Sequence, residues 1–372
     1  LNNILILTNR DIKKAPRVIR EVEALHDVFK VFVLTNQPNP ALKATFLPIH
    51  RYFYSVNRRL ITKFINFPFV PIRLLIFVQA YILQKVIRTL QISYVIIHEP
   101  EMLPLVTLVK KNLGVKIIFN AHEYHPLEIE NDDLWIQKYQ PVFLKLYKEY
   151  LPKIDLLINV CNSIGQKCLE EYGVKSLIIP NASKYYSSEV NYTTSKNITL
   201  VHHGVANEDR GIEVMIDAVG DLKGFTLDLF LVGDPTYIEK LKAYSERYPN
   251  ISLQKPVGYK EIIPMLRQYD AGFYILQPMS YNNRVALPNK FFEFIQARLA
   301  LVVSPNDEMK YYTEKYNIGI VTPSFNVSDV RKTLSTLEKS DIELFKKNTE
   351  QAAKILAMEN YNHQYLEAVQ NL

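Results

Sequence analysis

The chain reads as an α/β protein of two doubly wound domains, and three observations carry that reading. Short uninterrupted apolar runs such as Ile4-Leu5-Ile6-Leu7 and Tyr94-Val95-Ile96-Ile97 have the length and composition of parallel strands buried on both faces. Stretches of helical spacing alternate with them, so strand, loop, helix, strand is the recurring unit. The series stops in a polar run, 183–197, and starts again at Ile198. At 372 residues the chain is also longer than one hydrophobic core usually serves. The predicted domains are 1–183 and 198–355, with a linker and hinge at 184–197. A terminal helix, 356–372, ends the chain.

The elements follow in order. After Ile4–Leu7 comes a polar turn from Thr8 to Arg17. A helix from Val18 to His26 places Val18, Val22 and Leu25 on one side, and Val31-Phe32-Val33-Leu34 is the second strand. The loop Ala15-Pro16-Arg17 stands at a strand's carboxyl end, where such sheets take ligands, so Arg17 is either an anion contact or a solvated side chain. Tyr94–Ile97 ends in His98-Glu99-Pro100, and Lys116-Ile117-Ile118-Phe119 ends in Asn120-Ala121-His122-Glu123. Two His-Glu strand ends invite a metal reading, but the sequence has no helix with the HExxH spacing, and no metal site is expected. Asp155–Val160 is another strand, Ser163–Tyr172 a helix closed by Gly173.

The second series opens with Ile198-Thr199-Leu200-Val201, then His202-His203-Gly204, then a helix with Ile212, Met215, Ile216 and Val219 on one side. Gly204 permits a close backbone approach, and Arg210 stands before that helix. Leu227–Val232 ends in Gly233-Asp234, Ile251–Leu253 leads to Val257-Gly258-Tyr259, and Ala271–Leu276 is the next strand. A single long helix is expected from about Ile342 to Gln370.

Composition narrows the class. Glycine is scarce, 11 residues, and tyrosine abundant, 24, which excludes collagen-like and low-complexity chains. Two cysteines, Cys161 and Cys168, cannot frame a disulfide fold. With no charged-then-apolar leader at Leu1-Asn2-Asn3-Ile4, the expectation is a cytoplasmic protein. The formal charge of +6 is unevenly placed: no acid lies between Asp27 and Glu99, where Lys30, Lys43, Arg51, Arg58, Arg59, Lys63, Arg73, Lys85 and Arg88 do. An anionic partner follows. Within Tyr52–Leu90, Phe64–Leu83 is apolar enough to suggest a membrane, but Asn66, Arg73, Gln79, Pro68 and Pro71 argue against a spanning helix. Two readings remain: an amphipathic surface meeting anionic headgroups, or a core helix with a solvated basic face.

The stretch that organises the second domain is 282–297, Asn-Asn-Arg-Val-Ala-Leu-Pro-Asn-Lys-Phe-Phe-Glu-Phe-Ile-Gln-Ala. It reads as a loop entering a helix near Pro288, whose missing N–H costs nothing there. Helix starts hold anions, because free N–H groups and the positive dipole end point outward. Lys290, Glu293 and Ala297 share one face, with Phe291, Phe294, Ile295 and the stem of Arg298 opposite. A cation and a carboxylate one turn apart beside such an end suit a phosphate and a neighbouring sugar hydroxyl. Spacing alone equally describes a surface Lys–Glu pair.

Pro288-Asn289-Lys290-Phe291-Phe292-Glu293-Phe294, followed by Leu301-Val302-Val303-Ser304, resembles the donor segment of glycosyltransferase family 4. The Pro16-Arg17 loop and the Asn120-Ala121-His122-Glu123 turn resemble other parts of that family, with Asn120 where Asp is common. The resemblance implies the GT-B arrangement: two Rossmann-like domains facing across a cleft, with the terminal helix packing back on the first. It implies transfer of a sugar, with retention, from a nucleotide-sugar of the UDP or GDP type to a saccharide or lipid-linked acceptor. No further cofactor and no nucleic acid are expected. Lys290 would meet the diphosphate with Gly204 and Arg210, Glu293 the ribose, and His122 the transferred sugar. Gly233, Gly258, Asn283 and Arg284 would line base or sugar, and Arg17 the acceptor side.

Two departures stand out. Val205 follows Gly204 where the family has Arg, so Arg210 is the retained cation of that loop, its planar donors suited to phosphate. Val285 stands eight residues before Glu293, where the family has a second glutamate; Asn283 or Arg284 would replace it. A GT-B nucleotide-sugar epimerase and a non-catalytic nucleotide-sugar-binding subunit are the alternatives. With no Asp-x-Asp pair, cationic side chains would take the place of a bridging metal. The basic first domain suggests an acceptor that is anionic or presented at the membrane, at its inner face.

Overall fold

The computed structural model describes residues 2–8, 11–35, 37–48 and 70–372, with the backbone alone for 14 and 70–75. The described chain divides into two compact units, 1–180 with 362–372, and 181–361. The two doubly wound α/β domains expected from the sequence are both present.

The first unit holds β1 (Asn3–Leu7), β2 (Lys30–Thr35), β3 (Thr45–Pro48), β4 (Ile92–Ile97), β5 (Lys116–Asn120), β6 (Leu156–Asn159) and β7 (Ser176–Ile178). Their order is β3-β2-β1-β4-β5-β6-β7, and the pairs are parallel. The apolar runs are strands because both faces are covered: Ile4, Ile6, Val31, Val33, Ile96 and Ile118 lie in one core with Val18, Val22 and Leu25 of the helix Pro16–Leu25. That helix starts two residues earlier than its apolar spacing indicates, with Pro16 at its first position, where a missing N–H is harmless.

The second unit holds β8 (Ile198–Ala206), β9 (Phe225–Gly233), β10 (Ile251–Gln254), β11 (Ala271–Tyr274), β12 (Ala300–Val303) and β13 (Gly319–Val321). The order is β10-β9-β8-β11-β12-β13, again in parallel pairs. β8 runs five residues beyond the predicted Val201 and carries His202, His203 and Gly204 within the strand.

Three further details differ from the sequence reading. The segment read as a linker is laid along the second unit: Tyr186 N–H donates to Gln296 at 2.9 Å, the Asn191 amide to the Arg267 carbonyl at 2.8 Å, and the Thr193 hydroxyl to Asp270 at 2.6 Å. The long C-terminal helix is two, Lys339–Ile355 and Met358–Gln370. Their break is bonded, since the Met358 N–H donates to the Ser183 carbonyl at 2.9 Å. From Asn362 onward the last helix belongs to the first unit, with Tyr365 and Val369 in its core. Of the basic stretch Tyr52–Leu90, positions 52–69 lie outside the described residues; Val70–Thr89 is a helix.

Candidate active site

Doubly wound sheets take ligands at the carboxyl ends of the strands where the strand order reverses. In the second unit that place lies between β8 and β11, and in the first between β1 and β4. Most of the chemistry-bearing residues stand at these two places.

At the second-unit reversal, β8 brings His202, His203 and Gly204, β11 ends in Tyr274, and the helix Asn289–Gln296 supplies Lys290 and Glu293. Pro288 is the residue before that helix rather than its first, with φ −80° and ψ 162°, and no side chain caps the end. The helix is far more enclosed than an amphipathic surface helix: Lys290 through Gln296 are all buried. Lys290 is 5% exposed and Glu293 7%. A solvated Lys–Glu pair is therefore not what the one-turn spacing encodes here. Glu293 turns to His203, Oε2 3.2 Å from Nε2. Lys290 turns the other way.

The surroundings of Lys290 follow from tautomer logic. His202 Nδ1 lies 3.0 Å from the Phe273 carbonyl, which can only accept, so Nδ1 carries the proton and Nε2 is left as an acceptor. Lys290 Nζ sits 3.3 Å from that Nε2 and 4.2 Å from the centroid of the Tyr274 ring, over its negative face. Burial, then Lys290, hold the His202 imidazole well below its usual range, which keeps it neutral. Burial, then the Arg210 guanidinium, hold Lys290 well below the usual lysine range, with Glu293 opposing. The Lys290 amine is thus enclosed by an imidazole, an aromatic face and a guanidinium.

Backbone freedom completes the enclosure. Gly204 has φ +122°, and a Cβ there would stand 2.9 Å from Lys290 Nζ. Gly211, φ +61°, lets the short turn Glu208–Arg210 pass into the helix Ile212–Val219, and a Cβ there would meet Gln277 at 2.6 Å. Arg210 is half-buried and reaches the Tyr274 hydroxyl. Beyond β12, the Ser304 hydroxyl accepts the Leu276 N–H at 2.9 Å, and the Asn306 amide donates to the Leu276 and Asn283 carbonyls at 3.2 and 2.7 Å. These bonds fix the loop after β11.

The remaining candidates fall as follows. Gly204, Arg210, Lys290 and Glu293 come together. Asn283 and exposed Arg284 lie on the short helix Tyr281–Arg284, Arg284 5.8 Å from the centroid of the Tyr281 ring. Gly233 ends β9 against the Ala206 backbone; Gly258 is exposed, its N–H on the Glu261 carboxylate at 3.0 Å. Val285 is buried, 2% exposed, and serves the core, whereas Val205 is 46% exposed on β8. His122, in the first unit, is half-buried after β5, its ring 5.0 Å from that of His98 with 9° between the planes. Arg17 is the second residue of the helix Pro16–Leu25. His202, His203 and Tyr274 are the site residues that sequence reasoning left without roles. The signal for them was two histidines and a glycine closing an apolar strand. Among the described residues no group of three or more His, Cys, Asp or Glu side chains is placed to hold a metal ion.

Residues 17–182 match the family model of Glycosyltransferase Family 4. The chain resembles that family. Among curated proteins no sequence matches it. Among solved structures, sucrose-phosphate synthase from Thermosynechococcus elongatus is similar at TM-score 0.73 and 12% identity, covering 100% of this chain and 99% of that one. Anabaena HepE in complex with UDP-glucose is similar at TM-score 0.70 and 13% identity, covering 100% of both chains. Trehalose-6-phosphate synthase, in a study of glycosyltransfer with retention, is similar at TM-score 0.70 and 11% identity, covering 100% and 99%. The fold is GT-B, with two Rossmann-like domains, and the family model matched over 17–182 is that of a glycosyltransferase family.

Proposed function

We propose that the protein is a retaining glycosyltransferase that moves a sugar from a nucleotide diphosphate sugar, UDP- or GDP-linked, to a saccharide or lipid-linked saccharide in surface polysaccharide or glycoconjugate assembly. The observation that carries this reading is Lys290, a buried lysine amine at the strand-order reversal with no carboxylate in ion-pair contact among the described residues. Burying a charge without a partner is costly, and a diphosphate supplies the partner. Nucleotide-sugar use is supported by HepE, whose structure contains UDP-glucose, and retention by the trehalose-6-phosphate synthase study.

In this mechanism, bond loosening places negative charge on the leaving diphosphate, and Lys290 and Arg210 stabilise it from fixed positions without a bridging metal. Glu293, held by His203, accepts from the ribose hydroxyls. Gly233, Gly258, Asn283 and Arg284 border base or sugar; Arg284 suits an acidic sugar, and uronic-acid donors should then outcompete neutral hexose donors. His122 positions the transferred sugar, and Arg17 lies on the acceptor side. Val205, exposed where the resembling family has a cation, favours one second reading, a subunit that binds nucleotide-sugar without turning it over.

The first unit supports an acceptor at an anionic membrane. On the helix Val70–Thr89, Phe77 is 58% and Tyr81 57% exposed, and Lys85 Nζ lies 4.8 Å from the centroid of the Tyr81 ring. A groove of about 710 Å³ beside it is lined by Phe77, Lys110, Lys111 and Lys153. Aromatics at the interface with cations above them suit acidic headgroups. Among the described residues no helix is long and apolar enough to cross a membrane. The contact proposed is peripheral, at the cytoplasmic face, and binding to acidic vesicles should weaken as salt rises.

The deciding experiment is thermal unfolding against UDP-, GDP-, ADP- and CMP-sugars, with and without chelator. Selective binding at a hundredfold excess over Kd raises stability by about 2.7 kcal/mol. A selective, chelator-resistant shift, followed by product with an acceptor, is the expected result. A protein that ignores every nucleotide is not this enzyme, and one that binds and releases nothing is the binding subunit.

A further inference from the structure

At the strand-order reversal of the first unit lies a buried polar cluster that none of the roles above uses. Glu21, on the helix Pro16–Leu25, is 3% exposed. Its Oε2 lies 2.9 Å from His98 Nε2, just past β4. Its Oε1 accepts from the Asn120 amide, at the end of β5, at 3.0 Å, and from the Tyr365 hydroxyl, on the C-terminal helix, at 2.7 Å. His98 is fully buried, Tyr365 is 4% exposed and Asn120 6%.

Three donors converge on two carboxylate oxygens, so Glu21 is ionised. Burial alone would raise its pKa; His98 and the three hydrogen bonds outweigh burial and hold it below the usual carboxylate range. Because the carboxylate only accepts, His98 Nε2 carries a proton, which fixes that ring's orientation. Among the described residues His98 Nδ1 is buried with no hydrogen-bond partner, and the Glu21 contact is the hydrogen bond that holds the ring. Against this fixed plane lies His122, 5.0 Å between centroids and 9° between planes. An ionised cluster is a costly way to fill a core that Ile96 and Ile118 fill nearby with methyl groups. What it supplies is orientation.

We infer that Tyr365 is a positioning residue for His122, acting through Glu21 and His98. The inference rests on the reading of His122 as the residue that meets the transferred sugar. It gives the C-terminal helix a part in the reaction beyond filling the core: the Tyr365 hydroxyl completes the acceptor set of Glu21, Glu21 sets the His98 plane, and that plane seats His122. Tyr365 itself touches no reacting atom.

The test compares Tyr365→Phe, which deletes one hydroxyl, with Val369→Ala, which trims the same helix in the same core without touching Glu21. Glu21→Gln, which keeps the shape but leaves one accepting oxygen, is the second variant. Two readouts are taken on the full chain: kcat against donor Kd, and the ring-nitrogen chemical shifts of His98 and His122. Tyr365→Phe is expected to lower kcat about 5- to 10-fold with donor Kd unchanged and to move both rings' nitrogen signals. Glu21→Gln should do the same more strongly, and Val369→Ala should lower Tm while leaving signals and kcat near wild type. Unmoved His122 signals in both Tyr365→Phe and Glu21→Gln, or equal losses of kcat in Tyr365→Phe and Val369→Ala, overturn the inference. Should the wild type transfer no sugar at all, the proposed function falls, and the ring-nitrogen signals still decide whether Tyr365 orients His122.

Discussion

Two lysines of the second unit are buried, and their surroundings differ in one respect. Lys346, 1% exposed on the helix Lys339–Ile355, donates to the Tyr269 carbonyl at 2.8 Å and lies near Asp270. Burial pushes it down to about 8, with Asp270 opposing and Lys339 assisting. Lys290 has an imidazole, an aromatic face and Arg210 around it, and the nearby carboxylate, Glu293, faces His203. Burial weighs on both amines and a nearby acid opposes it in both, but only Lys346 donates to a carbonyl. The difference separates a structural lysine from one whose partner arrives from outside. Asp270 shows the internally offset arrangement in full, with Lys339 at 2.7 Å, Thr193 at 2.6 Å and the Thr199 N–H at 2.8 Å.

The largest expected effect is a double dissociation. Lys290→Met should weaken nucleotide diphosphate binding roughly 10- to 100-fold, the worth of one hydrogen bond to a charged group, without lowering Tm, since the amine it replaces is held below the usual lysine range and donates to no carbonyl or carboxylate among the described residues. Lys346→Met should lower Tm and leave nucleotide affinity intact. Isothermal titration and thermal unfolding on the two variants check it; a Lys290→Met protein that binds normally would erase the distinction.

Next in size is Gly204→Ala. The added methyl would stand 2.9 Å from Lys290 Nζ, on a backbone at φ +122° that L-residues rarely adopt. A stability loss on the order of 1–3 kcal/mol is expected from the backbone strain, together with weaker nucleotide binding as Nζ is displaced. Pairing Gly204→Ala with Lys290→Met separates the two effects. The stability loss should survive in the double variant, while the binding losses should fall short of additive, because both act at one atom.

The fold was legible because parallel strands covered on both sides must be apolar along their whole length, and Ile4–Leu7, Tyr94–Ile97 and Ala271–Tyr274 are. What was not legible has physical causes. β3, Thr45–Pro48, is an edge strand with no fully buried residue, so it presents no apolar run. The split of the C-terminal helices is set by a bond from Met358 to Ser183, which local spacing cannot show. Within the site, Lys290 and Glu293 could be placed one turn apart, but helical spacing predicted a pair. What each one faces depends on His202 and His203, with His202 88 residues from Lys290. Glu21 carried no role in the sequence reading, because its partners stand 77, 99 and 344 residues away. Buried charge is the part of a sequence whose meaning is held elsewhere in the chain.

The finest difference between the two lysines lies in their protons. For both, the folded pKa is below the ordinary 10.5, so above it the unfolded state binds more protons than the folded one, and stability rises with pH. For Lys346 that window runs from about pH 8 toward 10.5, and nucleotide should leave it unchanged. For Lys290 a bound diphosphate favours the ammonium and raises its pKa. Between the free and bound values, binding therefore takes up a proton, and affinity falls as pH rises through that interval. His202, neutral and hydrogen-bonded to Phe273, is the acceptor beside it; Arg210, Tyr274 and Glu293 are the other titratable groups around Nζ. Titrations in buffers of different ionisation enthalpy should give an uptake of up to about one proton per nucleotide. The uptake should vanish in Lys290→Met and persist in Lys346→Met. A buffer-independent binding heat in the wild type would mean that Lys290 is already charged before the anion arrives, and the contrast with Lys346 would then rest on hydrogen bonding alone.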